Sequence, residues 1–97
     1  MPLYVALTRW TDQGLRNVKD TVKRTDAVIA AAERMDCQVL DLLWTFGAYD
    51  IVSIIEAPTE DVAGTLTLAT AMQGNVRTHT MRAYRRDEME RILRGLP

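Results

Sequence analysis

The chain has 97 residues, 47% of them hydrophobic and 26% charged, with a formal net charge of -1 at pH 7; that suits one domain, near the size where association between copies becomes useful. This balance excludes a disordered chain and a net pull toward nucleic acid, and no run approaches the roughly 18 apolar residues of a transmembrane helix. The lone Cys37 rules out an intrachain disulfide and a multi-cysteine metal site, and Met1-Pro2-Leu3-Tyr4-Val5 shows no signal-peptide pattern, so a soluble cytoplasmic domain spanning residues 1–97 is expected.

Leu3 to Trp10 has the β-branched and aromatic content of a strand. Leu3, Val5 and Leu7 point one way and Tyr4, Ala6, Thr8 and Trp10 the other. Thr11 is placed to cap a helix, with Asp12 at its positive end. Gly14 weakens continuity and Asp20-Thr21 offers a second start, which predicts a short helix near 12–18 and a longer one near 21–35. Leu15, Val18, Val22, Ile29 and Ala32 follow helical spacing on one face.

After Asp36, two strands from about Cys37 to Thr45 and from Asp50 to Glu56 form a hairpin, with Gly47 suited to a positive φ between them. Ala57-Pro58 ends the second strand. Thr59-Glu60-Asp61 opens a helix continued by Val62, Leu66, Ala69 and Met72 or Gln73, and Gly74-Asn75 stops it. Val76 to Ala83 alternates as a last strand, and Arg86 to Leu93 forms a closing helix. The order βαββαβ plus a C-terminal helix predicts an α+β, ferredoxin-like antiparallel sheet with helices on one face.

The uncovered sheet face is expected to carry Trp10, Tyr4 and either Leu42 or Trp44. Monomers rarely expose apolar patches beyond a few hundred Å², so a homo-oligomer, at least a dimer, follows as an expectation unless the C-terminal helix folds back over that face.

Tyr4 through Thr11-Asp12-Gln13-Gly14, the turn Gly47-Ala48-Tyr49-Asp50, Glu56-Ala57-Pro58 and Gly74-Asn75-Val76-Arg77-Thr78 together resemble the GYD domain family. The family's Gly-x-Tyr-Asp segment is matched by Gly47, Tyr49 and Asp50. The resemblance covers nearly the whole chain in the right order. It implies a small α/β protein related to dimeric α+β barrels, in a family mostly of uncharacterised function.

Few residues are marked for chemistry. Tyr49 and Asp50 pair a phenol with a carboxylate at a sheet edge; alternatively, Asp50 accepts turn amide hydrogen bonds, as Asx side chains commonly do. His79 is the only histidine and the first candidate for acid–base work near neutral pH. Arg82 offers a planar donor fork for a carboxylate or phosphate. Tyr4, Trp10, Trp44, Tyr49 and Arg82 are the candidate ligand-binding residues, with Trp10 and Trp44 able either to line a pocket or to anchor the core. No metal site and no cofactor motif is found, and no nucleotide, hydrolase or metalloprotease signature is present. Two functions from different classes fit: a homo-oligomeric module binding a small apolar or anionic molecule or a partner, and a cofactor-free enzyme of the oxygenase, isomerase or cyclase type acting on a small apolar substrate.

Overall fold

The computed structural model describes all residues from Met1 to Pro97. Strand β1 (Leu3–Trp10) leads into a short helix α1 (Asp12–Arg16), a 3-10 turn (Val18–Asp20) and the long helix α2 (Thr21–Arg34). Strands β2 (Gln38–Trp44) and β3 (Ile51–Glu56) form the hairpin, followed by α3 (Glu60–Met72), β4 (Val76–Ala83) and α4 (Arg86–Leu93). The sheet order is β2-β3-β1-β4, with every neighbouring pair antiparallel. Each βαβ crossover therefore skips one strand: β3 lies between β1 and β2, and β1 lies between β3 and β4. This is the expected ferredoxin-like arrangement, with α4 as an appendage.

Local chemistry starts and stops these elements. The Thr11 hydroxyl accepts from the Gly14 amide at the start of α1, and Thr59 accepts from Val62 at the start of α3. The 12–18 helix breaks at Asn17, where the 3-10 turn takes over. Gly47 has φ +143° and Gly74 φ +82°, as the two turns require. No helix is long and apolar enough to cross a membrane.

The sheet faces differ from the expected assignment. Tyr4, Ala6, Thr8, Ile51 and Ser53 are buried beneath the helices, on the same face as Trp10, Leu42 and Trp44. The open face instead carries Leu3, Val5 and Leu7 of β1, Val52 and Ile54 of β3, Leu43 of β2, and Met81 and Ala83 of β4. The covering helices bury Thr25 and Ala32 of α2 and Ala63 with Leu66 of α3 against the sheet, three of the four being small. Leu15 and Val22, expected inside, are exposed, as are Ala69 and Met72 of α3.

Helix α4 does not cover the open face with a buried surface of its own. None of its residues is buried, and Met89, Ile92 and Leu93 stay nearly half exposed. It is tethered through Glu88, which accepts from the Arg85 amide at 3.1 Å and from Arg82 at 3.2 Å, and through the Arg85–Glu56 ion pair.

The Arg85 amide, followed by the Arg82 guanidinium, holds the Glu88 carboxyl below its ordinary 4.5. Because the folded value is the lower one, this tether is fully present above 4.5 and fades as pH falls through the folded value. An NMR titration of the Glu88 side chain should give a midpoint below 4.5, and Glu88→Gln, which lacks the titrating carboxylate, should loosen α4 at every pH and abolish the pH dependence of its attachment. A Cβ at Gly14 would sit 2.0 Å from the Asn75 carbonyl oxygen, whereas one at Gly64 meets nothing within 4 Å. Gly14→Ala should therefore cost about 2 kcal/mol or more, lowering Tm by roughly 10 °C, while Gly64→Ala raises stability by about 0.5–1 kcal/mol; calorimetry checks both.

Candidate functional site

Between the sheet and its two long helices lies a cavity of about 110 Å³. It runs along β1, whose inward side chains from Tyr4 to Trp10 span roughly 20 Å at the usual strand rise. The Tyr4 end is closed by the hydrophobic cluster of Tyr4, Ala32, Cys37, Ala57, Ala63 and Leu66. The Trp10 end is the mouth. There α2 begins with Thr21 and Arg24, and α3 ends near Thr70, Gln73 and Asn75, all of which line the space. Ala6, Val28, Ile51, Ile55 and Leu66 supply its apolar wall.

Part of the polar lining is bonded within the protein, part is buried without a partner, and the hydroxyls of Thr25, Ser53 and Thr80 fall in neither set. Several threonines satisfy one another or their own helix: Thr8 and Thr78 share a hydrogen bond of 3.1 Å, and the Thr67 and Thr70 hydroxyls donate to Ala63 and Leu66 carbonyls at 2.9 Å. Such residues present methyl groups to the space. Three polar atoms are buried with no partner, the Tyr4 hydroxyl, the Trp10 indole Nε1 and one terminal nitrogen (Nη2) of Arg24. All three residues line the cavity. Unpaired buried donors are rare in folded proteins because each forfeits its hydration without recompense.

Arg24 is held by its other terminal nitrogen, which donates to the Asn17 carbonyl. No Asp or Glu lines the cavity, so its guanidinium has no counter-ion there. Trp44, one of the expected ligand contacts, stands at the rim instead: its indole donates to the Thr21 hydroxyl at 3.1 Å and fastens β2 to the start of α2. Arg82 is engaged elsewhere, bonding to the Leu3 and Ala83 carbonyls and to Glu88, with its guanidinium 4.6 Å from the centre of the Tyr84 ring and 5.9 Å from that of Tyr4.

The remaining candidates lie away from the cavity. Tyr49 and His79 meet at an edge-to-face angle of 68° with ring centroids 5.9 Å apart, and Arg9 stacks over Tyr49 at 4.8 Å. His79 shares the open face with Leu7, opposite which it pairs. Asp50 joins neither group. Its carboxylate accepts from the Trp10 amide at 2.9 Å, while its own amide donates to Thr8 and its carbonyl accepts from Thr45. Tyr49, Asp50 and His79 thus do not share a pocket.

Arg24, Thr25 and the inward threonines of α3 were missed by periodicity, since a polar residue on an inner helix face registers as surface. No group of three or more His, Cys, Asp or Glu side chains converges as metal ligands would. Cys37 is 1% exposed, and burial, with Asp36 as a lesser cause, pushes its thiol above the ordinary 9.0; it stays protonated near neutral pH and packs as core.

Three of the segments bearing the family resemblance, Thr11 to Gly14, Gly47 to Asp50 and Gly74 to Thr78, meet at the cavity mouth, while Glu56-Ala57-Pro58 lies at the closed end. Thr11 donates its amide to Asn75 and its hydroxyl to Gly74, Gln13 reaches Gln73 and Asn75, and Asp50 binds Trp10. The family model of the GYD domain matches residues 4–93. Neither a curated protein nor a solved structure matches the chain.

With Asp50 as a clamp on β1, Asp50→Ala should cost about 2 kcal/mol, the scale of a hydrogen bond to a charged group. Asp50→Asn keeps an acceptor and should retain most of the stability. Urea unfolding of the two variants separates this role from any other: equal losses would contradict it.

Proposed function

The chain belongs to the GYD domain family, and on that footing we propose that it is a homo-oligomeric module that binds a small organic molecule in the cavity between its sheet and helices. The observation that carries this reading is the trio of unpartnered atoms, on Tyr4, Trp10 and Arg24, buried against one cavity. An occupant offering acceptors would satisfy them, and the apolar wall would take the rest of it.

Association follows from the other face. Leu3, Val5, Leu7, Val52, Ile54 and Met81 form a continuous apolar surface with no helix over it, and Met81 is 48% exposed. A second copy stacked there would remove this surface from water, gaining about 25 cal/mol per Å² of apolar area before the cost of association. Each protomer keeps its own cavity beneath its own helices.

Binding is preferred to catalysis because no carboxylate, histidine or thiol lines the cavity, whose wall carries only the Tyr4 phenol and the Arg24 guanidinium as ionisable groups. Proton transfer there would fall to the Tyr4 phenol alone.

Light scattering after gel filtration should give a mass of at least two 11.0 kDa chains. Val5→Glu and Ile54→Glu should shift it to the monomer while leaving the helical circular dichroism intact. A wild-type monomer at about 100 µM would remove the oligomeric half of the reading.

A further inference from the structure

We propose that the cavity's ligand is a small amphipathic anion, with a carboxylate at the mouth engaged by Arg24 and Trp10 and an apolar body directed toward Tyr4. This rests on the cavity being a binding site and goes further by assigning the chemistry of its occupant.

The charge inventory decides the sign. Arg24 is the only charged residue in the lining, its buried Nη2 has no partner, and no carboxylate of the protein reaches the space. Arg24 also takes part in none of the ion pairs, which join Arg82 to Glu88, Arg85 to Glu56 and Arg86 to Glu90. A guanidinium so placed selects an anion and disfavours a cation. The Trp10 indole can only donate, so it too calls for an acceptor. Both residues stand at the same end of the sheet: Trp10 closes β1, and Arg24 lies one turn after Thr21, which Trp44 fastens to that end.

The shaft decides the rest of the molecule. Below the mouth, Ala6, Val28, Ile51, Ile55 and Leu66 share the wall with Thr8, Thr67 and Thr78, whose hydroxyls are already engaged, and with two small hydroxyl residues, Thr25 and Ser53. Such a wall suits hydrocarbon. At the closed end, the Tyr4 side chain is 7% exposed, and its unpaired hydroxyl either donates or accepts. A water trapped between the short tail and that hydroxyl satisfies it. The volume of about 110 Å³ exceeds the share of a single water, about 30 Å³, and holds a short chain or a single ring. Binding moves no covalent bond: the ligand enters as the preformed carboxylate and leaves unchanged.

The test uses two isosteric probes, hexanoate and hexanamide, titrated separately into the ¹⁵N-labelled full chain. The readouts are the Trp10 indole signal, identified by its loss in Trp10→Phe, and the amides of Thr25 and Thr78. Hexanoate is expected to shift all three and to bind about tenfold or more tightly than hexanamide, as a charge-assisted contact in a partly dry site requires. Arg24→Gln should bring the two affinities together without abolishing hexanamide binding, and Arg24→Lys should keep part of the preference. Trp10→Phe, read at the threonine amides, should weaken hexanoate more than hexanamide. Equal affinities in the wild type would overturn the anionic assignment while leaving the cavity as a binding site. Shifts confined to the open face, or none with either probe, would overturn both.

Discussion

Everything about the candidate site depends on how the C-terminal end of β1 is held. Two consecutive amides there are taken by distant partners, Trp10 by the Asp50 carboxylate and Thr11 by the Asn75 carbonyl. The first fastens the β2–β3 turn to β1, and the second fastens the α3–β4 turn to the beginning of α1. Gly14 lets the Asn75 backbone approach where any side chain would collide with it. With both turns pinned to one corner, the start of α2 and the end of α3 are set relative to the sheet, and the mouth of the cavity is defined by backbone contacts that do not depend on an occupant.

The interior then has two regimes. At the Tyr4 end, Ala32, Cys37, Ala57, Ala63 and Leu66 close around the phenol ring, with Met35, Val39, Ile55 and Val62 packed behind them. At the Trp10 end the helices line the space with Thr21, Arg24, Thr25, Thr67 and Thr70. Protein interiors are ordinarily close-packed, and a hollow of about 110 Å³ forgoes packing contacts along its lining at a cost in stability. Unpaired polar atoms add to that cost. A chain of 97 residues has little stability to spare, so an arrangement that leaves both penalties standing is poorly explained by folding alone. Occupancy by a ligand relieves the two together, which is why the void and the orphaned atoms carry more weight jointly than either does separately.

Element order and most boundaries were legible in the sequence because their signals are local. Thr11 and Thr59 cap helices, Gly47 and Gly74 sit in turns, and the alternation in β1 and β4 marks strands. Which face of each element lies inside was not legible. In β1 both faces are rich in apolar atoms, and the choice between Leu3-Val5-Leu7 and Tyr4-Ala6-Thr8-Trp10 is made by the helices that cover it. In β2 the irregularity between Val39 and Asp41 shifts the phase, so that Val39 and Leu42 share a face although they lie three positions apart. In α2 and α3 the inward stripe includes Thr25, Thr67 and Thr70, while Leu15, Val22 and Met72 lie outside. Periodicity reads polarity as exposure, and it fails where a threonine lines a hollow. The same failure concealed Arg24, whose setting appears only when the volume is seen in three dimensions.

The open face adds a constraint of its own. Its apolar centre is flanked unequally: Asp41 stands on the β2 edge strand, while Arg9, Arg77 and His79 stand on β1 and β4. A two-fold interface must be self-complementary, each patch meeting its own counterpart in reverse. For the dimer we propose, an axis along the strands and between the stacked sheets lays β2 of one copy over β4 of the other. Asp41 is level with Ile54, Val5 and, through them, Met81, so it would come to rest near Met81 and His79 of the opposing strand. An axis across the strands would instead set β4 over β4 and β2 over β2, leaving Arg77 and His79 of both copies on one edge and Asp41 of both on the other. Charge layout thus favours the first packing over the second, and it leaves the cavity mouths, on the outer side of each sheet, open to solvent.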